Sequence, residues 1–168
     1  QMALRGVRRN GKKKNDQGFF LLEALIAVSL AIFVVTTVLY SSAQFISAYT
    51  TRVYDEELMM DADFIENLII HRLRHMKLEN VKDDSMAYVN YKGTHNGMKV
   101  SNRKLVKILS NGTYQTVTTD KVAILSSPTP YFKVRQDHVL VHLVVQHKKS
   151  KRSQTIDIDM VPRNGVPV

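Results

Sequence analysis

Gly18-Phe19-Phe20-Leu21-Leu22-Glu23 opens an apolar run that continues to Tyr40, interrupted only by Glu23, Ser29, Thr36 and Thr37. As a helix, these roughly 22 residues rise about 33 Å, enough to span the hydrocarbon core of a bilayer. The hydroxyls of Ser29, Thr36 and Thr37 can bond back to their own helix. The carboxylate of Glu23 cannot, and a charge inside such a run costs about 2.5–3.5 kcal/mol even on lenient insertion scales. Glu23 is therefore expected to meet a cationic partner.

Upstream of the run stand Arg5, Arg8, Arg9, Lys12, Lys13 and Lys14 against Asp16, which places +5 of the formal net charge of +9 before Phe19 and leaves +4 for the rest. The basicity is thus mostly a topology signal, holding the N-terminus in the cytoplasm and sending the C-terminal side outward. A cleaved secretory signal is the competing reading. Its apolar region is usually about 7–15 residues long, shorter than this one, although Ser41-Ser42-Ala43 is small enough for a cleavage site. With residues 1–40 set aside, about 120 residues remain, the size of one ordinary domain. The chain has no cysteine, which excludes a disulfide framework, thiol catalysis and Cys-based zinc sites.

Downstream of Tyr40 no Gly or Pro occurs before Gly93. Leu58, Ala62, Ile65, Ile69, Leu73 and Met76 recur at steps of three and four beside a second line of Met60, Phe64 and Leu68, the pattern of an amphipathic helix. The same helix is expected to run on to about Leu78 and to lay its apolar stripe on a sheet. Strands are predicted at Met86 to Lys92, Arg103 to Leu109, Tyr114 to Thr118, Lys121 to Leu125 and from Tyr131 to Arg135. Gly93-Thr94-His95-Asn96-Gly97 reads as a loop, and Asn111-Gly112 is the strongest hairpin signal in the chain. Val139, Val141, Leu143 and Val145 alternate with Leu140, His142 and Val144, as in a central strand covered on both faces. Ile156, Ile158 and Met160 alternate with Thr155, Asp157 and Asp159, as in a last strand with one wet face. Short connections favour an antiparallel meander. The expected organisation is α+β: a basic leader at 1–18, a membrane helix at 19–40, its amphipathic continuation at 41–80 and an antiparallel sheet domain at 81–168.

On Gly18, Phe19, Leu22, Glu23 and the apolar run behind them, the chain resembles the type IV pilin-like family. The resemblance implies cleavage by the prepilin peptidase between Gly18 and Phe19, N-methylation of Phe19, and retention of Glu23 as the acid that pairs with a neighbouring subunit. Phe20 departs from the threonine usual at the second mature position, without touching the scissile glycine or the acid. More loosely, the head is similar to minor pseudopilins of Gram-positive competence systems, of the ComGF type. That likeness rests on Asp61-Ala62-Asp63-Phe64, Asn111-Gly112-Thr113-Tyr114-Gln115 and the closing valine- and isoleucine-rich strands.

If so, the chain is a structural subunit of a competence pseudopilus that serves the uptake of external DNA. Its implied partners are the membrane, the prepilin peptidase, and the major and other minor pseudopilins. The assembly ATPase with its membrane platform would act indirectly, DNA would be met through the assembled pseudopilus, and no cofactor is implied. A pseudopilin of a type II-like protein-secretion system and a membrane-anchored DNA receptor are the alternatives.

The other chemistry-bearing clusters read weakly. His71 and His75 are four apart on the helix but lack the carboxylate of a His-Glu-x-x-His zinc motif. Asp55, Glu56, Glu57, Asp61, Asp63 and Glu66 lack calcium-loop spacing and read as the wet side of the helix. Asn111-Gly112-Thr113 matches a glycosylation acceptor formally, though a hairpin turn explains it. Lys148, Lys149, Lys151 and Arg152, with His147 beside them, form a basic turn that either touches DNA phosphates or protects a sheet edge. No nucleophile-and-base arrangement or phosphate loop is present, so catalysis is not expected.

Overall fold

A computed structural model describes residues 12–162, with side chains from Gly18 onward. Arg5, Arg8 and Arg9 of the expected leader therefore lie outside the described residues, as do the side chains of Lys12, Lys13, Lys14 and Asp16. The fold is α+β: among the described residues one long helix, α1 (Lys12–His75), precedes nine antiparallel strands. The chain divides after Tyr49 into two compact units.

In the first unit every described side chain, from Gly18 onward, is exposed. This stretch is long and apolar enough to cross a membrane by length and composition. Its hydroxyls are satisfied locally, with Ser29 Oγ donating to the Leu25 carbonyl at 2.8 Å and Thr37 Oγ1 to that of Phe33 at 2.8 Å. Thr36 Oγ1 donates to the Ile32 carbonyl at 2.9 Å. These i−4 bonds remove the polar groups that would otherwise need water.

In the second unit the helix buries Leu58, Ala62, Ile65, Ile69 and Leu73, one stripe at helical spacing. The second apolar line does not join it: Met60 and Phe64 stay exposed and only Leu68 packs partly against the core. The helix also stops at His75, three residues short of the expected end. Arg72, Arg74 and His75 form its last turn, where positive charge complements the helix dipole. Leu78 is instead buried on β1 (Lys77–Lys82), a strand the sequence reading missed because only Leu78 and Val81 are apolar in it.

Two sheets, not one, form the head. The first is a five-stranded meander in chain order: β1, β2 (Ser85–Val89), β3 (His95–Ser101), β4 (Lys104–Ile108) and β5 (Tyr114–Thr116). β3 corrects the loop expected at Gly93 to Gly97. Gly97 sits inside that strand because a Cβ there would lie 3.0 Å from the Met86 carbonyl oxygen of β2. Asn111 and Gly112 do turn β4 into β5, with Gly112 at φ +79°.

The second sheet centres on β8 (His138–His147), which pairs with β9 (Ser153–Met160) along one edge. Its other edge takes β6 (Val122–Ile124) and β7 (Phe132–Arg135), at opposite ends. Pro128 and Pro130 lie in the segment between these two strands and cannot donate ladder hydrogen bonds. β8 is central, as expected, but it is not covered on both faces. Val139, Val141, Leu143 and Val145 are buried, while Leu140, His142 and Val144 remain half open. Helix stripe and both sheets share one core, with Tyr88, Phe132 and Leu105 among its buried members.

Candidate functional site

Two regions carry the residues singled out by sequence. Gly18, Phe19 and Glu23 lie within α1, exposed, in the first unit. The helix passes through Gly18 without a break. Glycine is a weak point in any helix, by about 1 kcal/mol relative to alanine. Among the described residues, no side chain or distant backbone lies within 4 Å of the place a Cβ would take at Gly18. Glu23 has no hydrogen-bond or ion-pair partner among the described residues, and its neighbours Phe19, Phe20 and Leu22 are open as well.

The second region is the β8–β9 turn, and here the structure rearranges the sequence reading. The acidic face of the helix is not simply wet. Asp55 pairs with Arg152, Glu57 with both Lys121 and His147, and Asp61 accepts a 2.7 Å hydrogen bond from Thr119. His147 is not beside the basic cluster as a further phosphate contact. It is buried at the end of β8, with its ring stacked on Tyr54 at 4.8 Å.

The tautomer of His147 follows from its neighbours. The Ser150 N–H donates to Nδ1 at 3.2 Å, so Nδ1 must be bare, and Nε2 carries the hydrogen towards Glu57 Oε2 at 3.3 Å. Both ring nitrogens are thereby engaged.

Glu57 lies between two donors, and the hydrogen bond from Lys121 is the main cause that holds its carboxyl below the usual glutamate value, with His147 adding to it. Lys121 is raised in turn by the same bond. Arg152 and Lys121 are thus committed to the helix.

Lys148, Lys149 and Lys151 remain exposed on the turn. The structure brings Lys148 and Lys151 together with two cations that sequence reasoning did not single out, Arg103 and Lys104, around one cleft. Those two stand at and just after the β3–β4 turn, where Asn102 and Arg103 have φ of +51° and +60°. A two-residue turn of this left-handed kind matches the twist of a hairpin. Had β3 been recognised, Asn102-Arg103 would have stood out as its turn.

The remaining clusters are accounted for without a ligand. His71 and His75 do share a helix face, with ring centroids 4.6 Å apart, but among the described residues no group of three potential ligands could hold a metal ion. On the open face of the second sheet, His138 and His142 each meet a carboxylate of β9 at 2.6 Å, Asp159 and Asp157 respectively. The Asn111 carboxamide accepts from the Thr113 N–H at 3.0 Å, which ties it into the hairpin.

Comparison with family models, curated proteins and solved structures gives no match for this chain.

Proposed function

We propose that this chain is a minor pseudopilin, a structural subunit that is stored in the membrane and enters a competence pseudopilus serving DNA uptake. One observation carries the reading. Glu23 is a carboxylate within an apolar helix whose described side chains are exposed, five positions after Gly18, and it has no ion-pair partner among the described residues. Cleavage between Gly18 and Phe19 would create an amine on Phe19, one helical turn from Glu23. That amine on one subunit and Glu23 on the next attract strongly in a low-dielectric bundle. Each is expensive alone, so the pair would set register as well as favour assembly. The bare apolar surface from Phe19 to Tyr49 supports the same reading, since it would pack on bilayer lipid before assembly and on other helices afterwards.

In this scheme the N-terminus stays in the cytoplasm, the prepilin peptidase removes residues 1–18, and Phe19 becomes methylated. The α+β head would face outward and dock on major and other minor pseudopilins. The assembly ATPase and its membrane platform act on it only indirectly.

Mass spectrometry of the mature protein tests the first step, with a chain beginning at methylated Phe19 as the expected result. A mature chain beginning after Ala43 would overturn the reading. Glu23→Leu tests the second. Leaving one charge of a buried pair uncompensated costs about 3–5 kcal/mol, so the variant should be processed and retained in the membrane yet lost from sheared pseudopilus fractions by more than about a hundredfold. Normal incorporation would sink the pairing. Deletion should abolish transformation; a deletion that instead stops protein secretion would assign the subunit to a secretion system.

A further inference from the structure

Two turns of the head converge on a cleft of about 320 Å³ whose walls are Arg103 and Lys104 on one side and Lys148 and Lys151 on the other, over Ala123 and Gln146. We propose that this cleft binds the phosphodiester backbone of duplex nucleic acid, with Arg103, Lys148 and Lys151 as the phosphate contacts.

The cations are held in place by backbone pinned on both sides. The Arg103 carbonyl accepts from the Ile124 N–H of β6 at 2.8 Å, which ties the β3–β4 turn to the second sheet. On the other side the Lys148 N–H donates to the Lys121 carbonyl at 2.8 Å, the Lys151 N–H to that of His147 at 2.9 Å, and Gln146 Nε2 to that of Lys151 at 3.0 Å. Arg103 and Lys151 both sit at φ +60°, and both are exposed. The Arg152–Asp55 pair fastens the same hairpin to the helix, so Arg152 supports the cleft and does not line it.

Charge is left over here. Asp120 is the carboxylate engaged with these cations: it accepts from Lys104 at 2.6 Å, and Lys148 adds to the field that keeps its carboxyl below the usual aspartate value. Arg103 and Lys151 have no ion-pair partner among the described residues. Four cations against this one carboxylate leave positive charge in excess around one concavity, and a ligand bearing several anionic groups offsets it.

The chemistry selects among polyanions. No aromatic side chain lines the cleft, so it offers no platform for stacked bases as single-strand binders do. Contact through backbone phosphates, independent of sequence, is what remains. A bilayer surface is less suited, because membrane-binding faces set apolar side chains beside their cations, whereas this floor is recessed and made of Ala123 and Gln146. None of this depends on whether the helix assembles, so failure of the pseudopilin reading and failure of the cleft are separate outcomes.

The test uses the full chain in detergent micelles and a fluorescent mixed-sequence 30-base-pair duplex, followed by anisotropy across a salt series. Three phosphate contacts predict a log K against log salt slope of about −3. Arg103→Asn with Lys148→Gln and Lys151→Asn should flatten that slope and weaken binding by more than about tenfold. Asparagine is chosen at 103 and 151 because it tolerates the left-handed backbone, and unchanged thermal midpoints would show that the variant folds. The charge-matched control Lys92→Gln with Lys133→Gln and Arg135→Gln, which alters none of the cleft residues, should bind as the parent does.

Asp120→Asn supplies a readout of opposite sign and remains informative if the triple variant does not fold. By freeing Lys104 and Lys148 it should tighten binding by about threefold. Equal losses in the two triple variants, or an Asp120→Asn variant that binds no better, would overturn the proposal. So would equal competition by poly-glutamate or by phosphatidylglycerol vesicles, the first pointing to carboxylates and the second to lipid headgroups.

Discussion

Tyr88 is buried, and its hydroxyl has no hydrogen-bond partner among the described residues, with Arg72 lying 5.9 Å above the ring. Burial pushes its ionisation upward, partly countered by the Arg72 charge. An unpaired buried hydroxyl costs about 1–3 kcal/mol, while the ring itself fills the core. Tyr88→Phe should therefore raise the stability of the head by about 1 kcal/mol, visible as a higher thermal midpoint; a lowered midpoint would mean that the hydroxyl is satisfied after all. His147 illustrates the contrary case, a polar ring that is buried with both nitrogens engaged. Sequence placed it beside a basic cluster and so suggested a phosphate contact. It continues by one step the alternation of Val139, Val141, Leu143 and Val145, and β8 accordingly turns it inward.

At the scale of elements, α1 shows how two apolar lines of similar strength part ways. Ile69 has no exposed surface, whereas Phe64 is 56% exposed. Ile69→Ala should cost about 2–5 kcal/mol by leaving a cavity, and Phe64→Ala should change head stability by no more than about 0.5 kcal/mol. Chemical denaturation of both variants checks the pair, and similar losses would mean that the second line is covered. The acidic positions on this helix had read as solvated. Three of the six, Asp55, Glu57 and Asp61, are the points where the β8–β9 hairpin and the segment before β6 are fastened to the helix. Such pairing joins residues almost a hundred positions apart, and no local pattern reveals it.

For the whole molecule, three carboxylates tie separate parts together and are held below their ordinary values: Glu57 chiefly by Lys121, Asp84 chiefly by Ser85 and then Lys99, and Asp120 by Lys104. A depressed carboxyl stabilises the folded state above its unfolded value and loses that contribution as pH falls through the folded one. Head stability should accordingly be flat from neutral pH to about 5 and decline below about 4. Glu57→Gln should soften the decline, as read from thermal midpoints across the acid range. Midpoints that hold level down to pH 2.5 would show that these contacts contribute nothing.

Hydropathy and spacing alone determined the long helix, its uncovered apolar half, the lone acid at Glu23, the buried stripe from Leu58 to Leu73 and the α+β class, because each is a periodic or compositional property of contiguous residues. The strands at Lys77–Lys82 and His95–Ser101 were hidden by polar composition and by Gly97, whose place is dictated by the close approach of a neighbouring strand. The split into two sheets and the cleft joining Arg103 to Lys151 belonged to the tertiary structure alone. They arise where β6 sits between the β3–β4 turn and the end of β8, a meeting of distant segments fixed by backbone hydrogen bonds that leave no periodic trace in the chain.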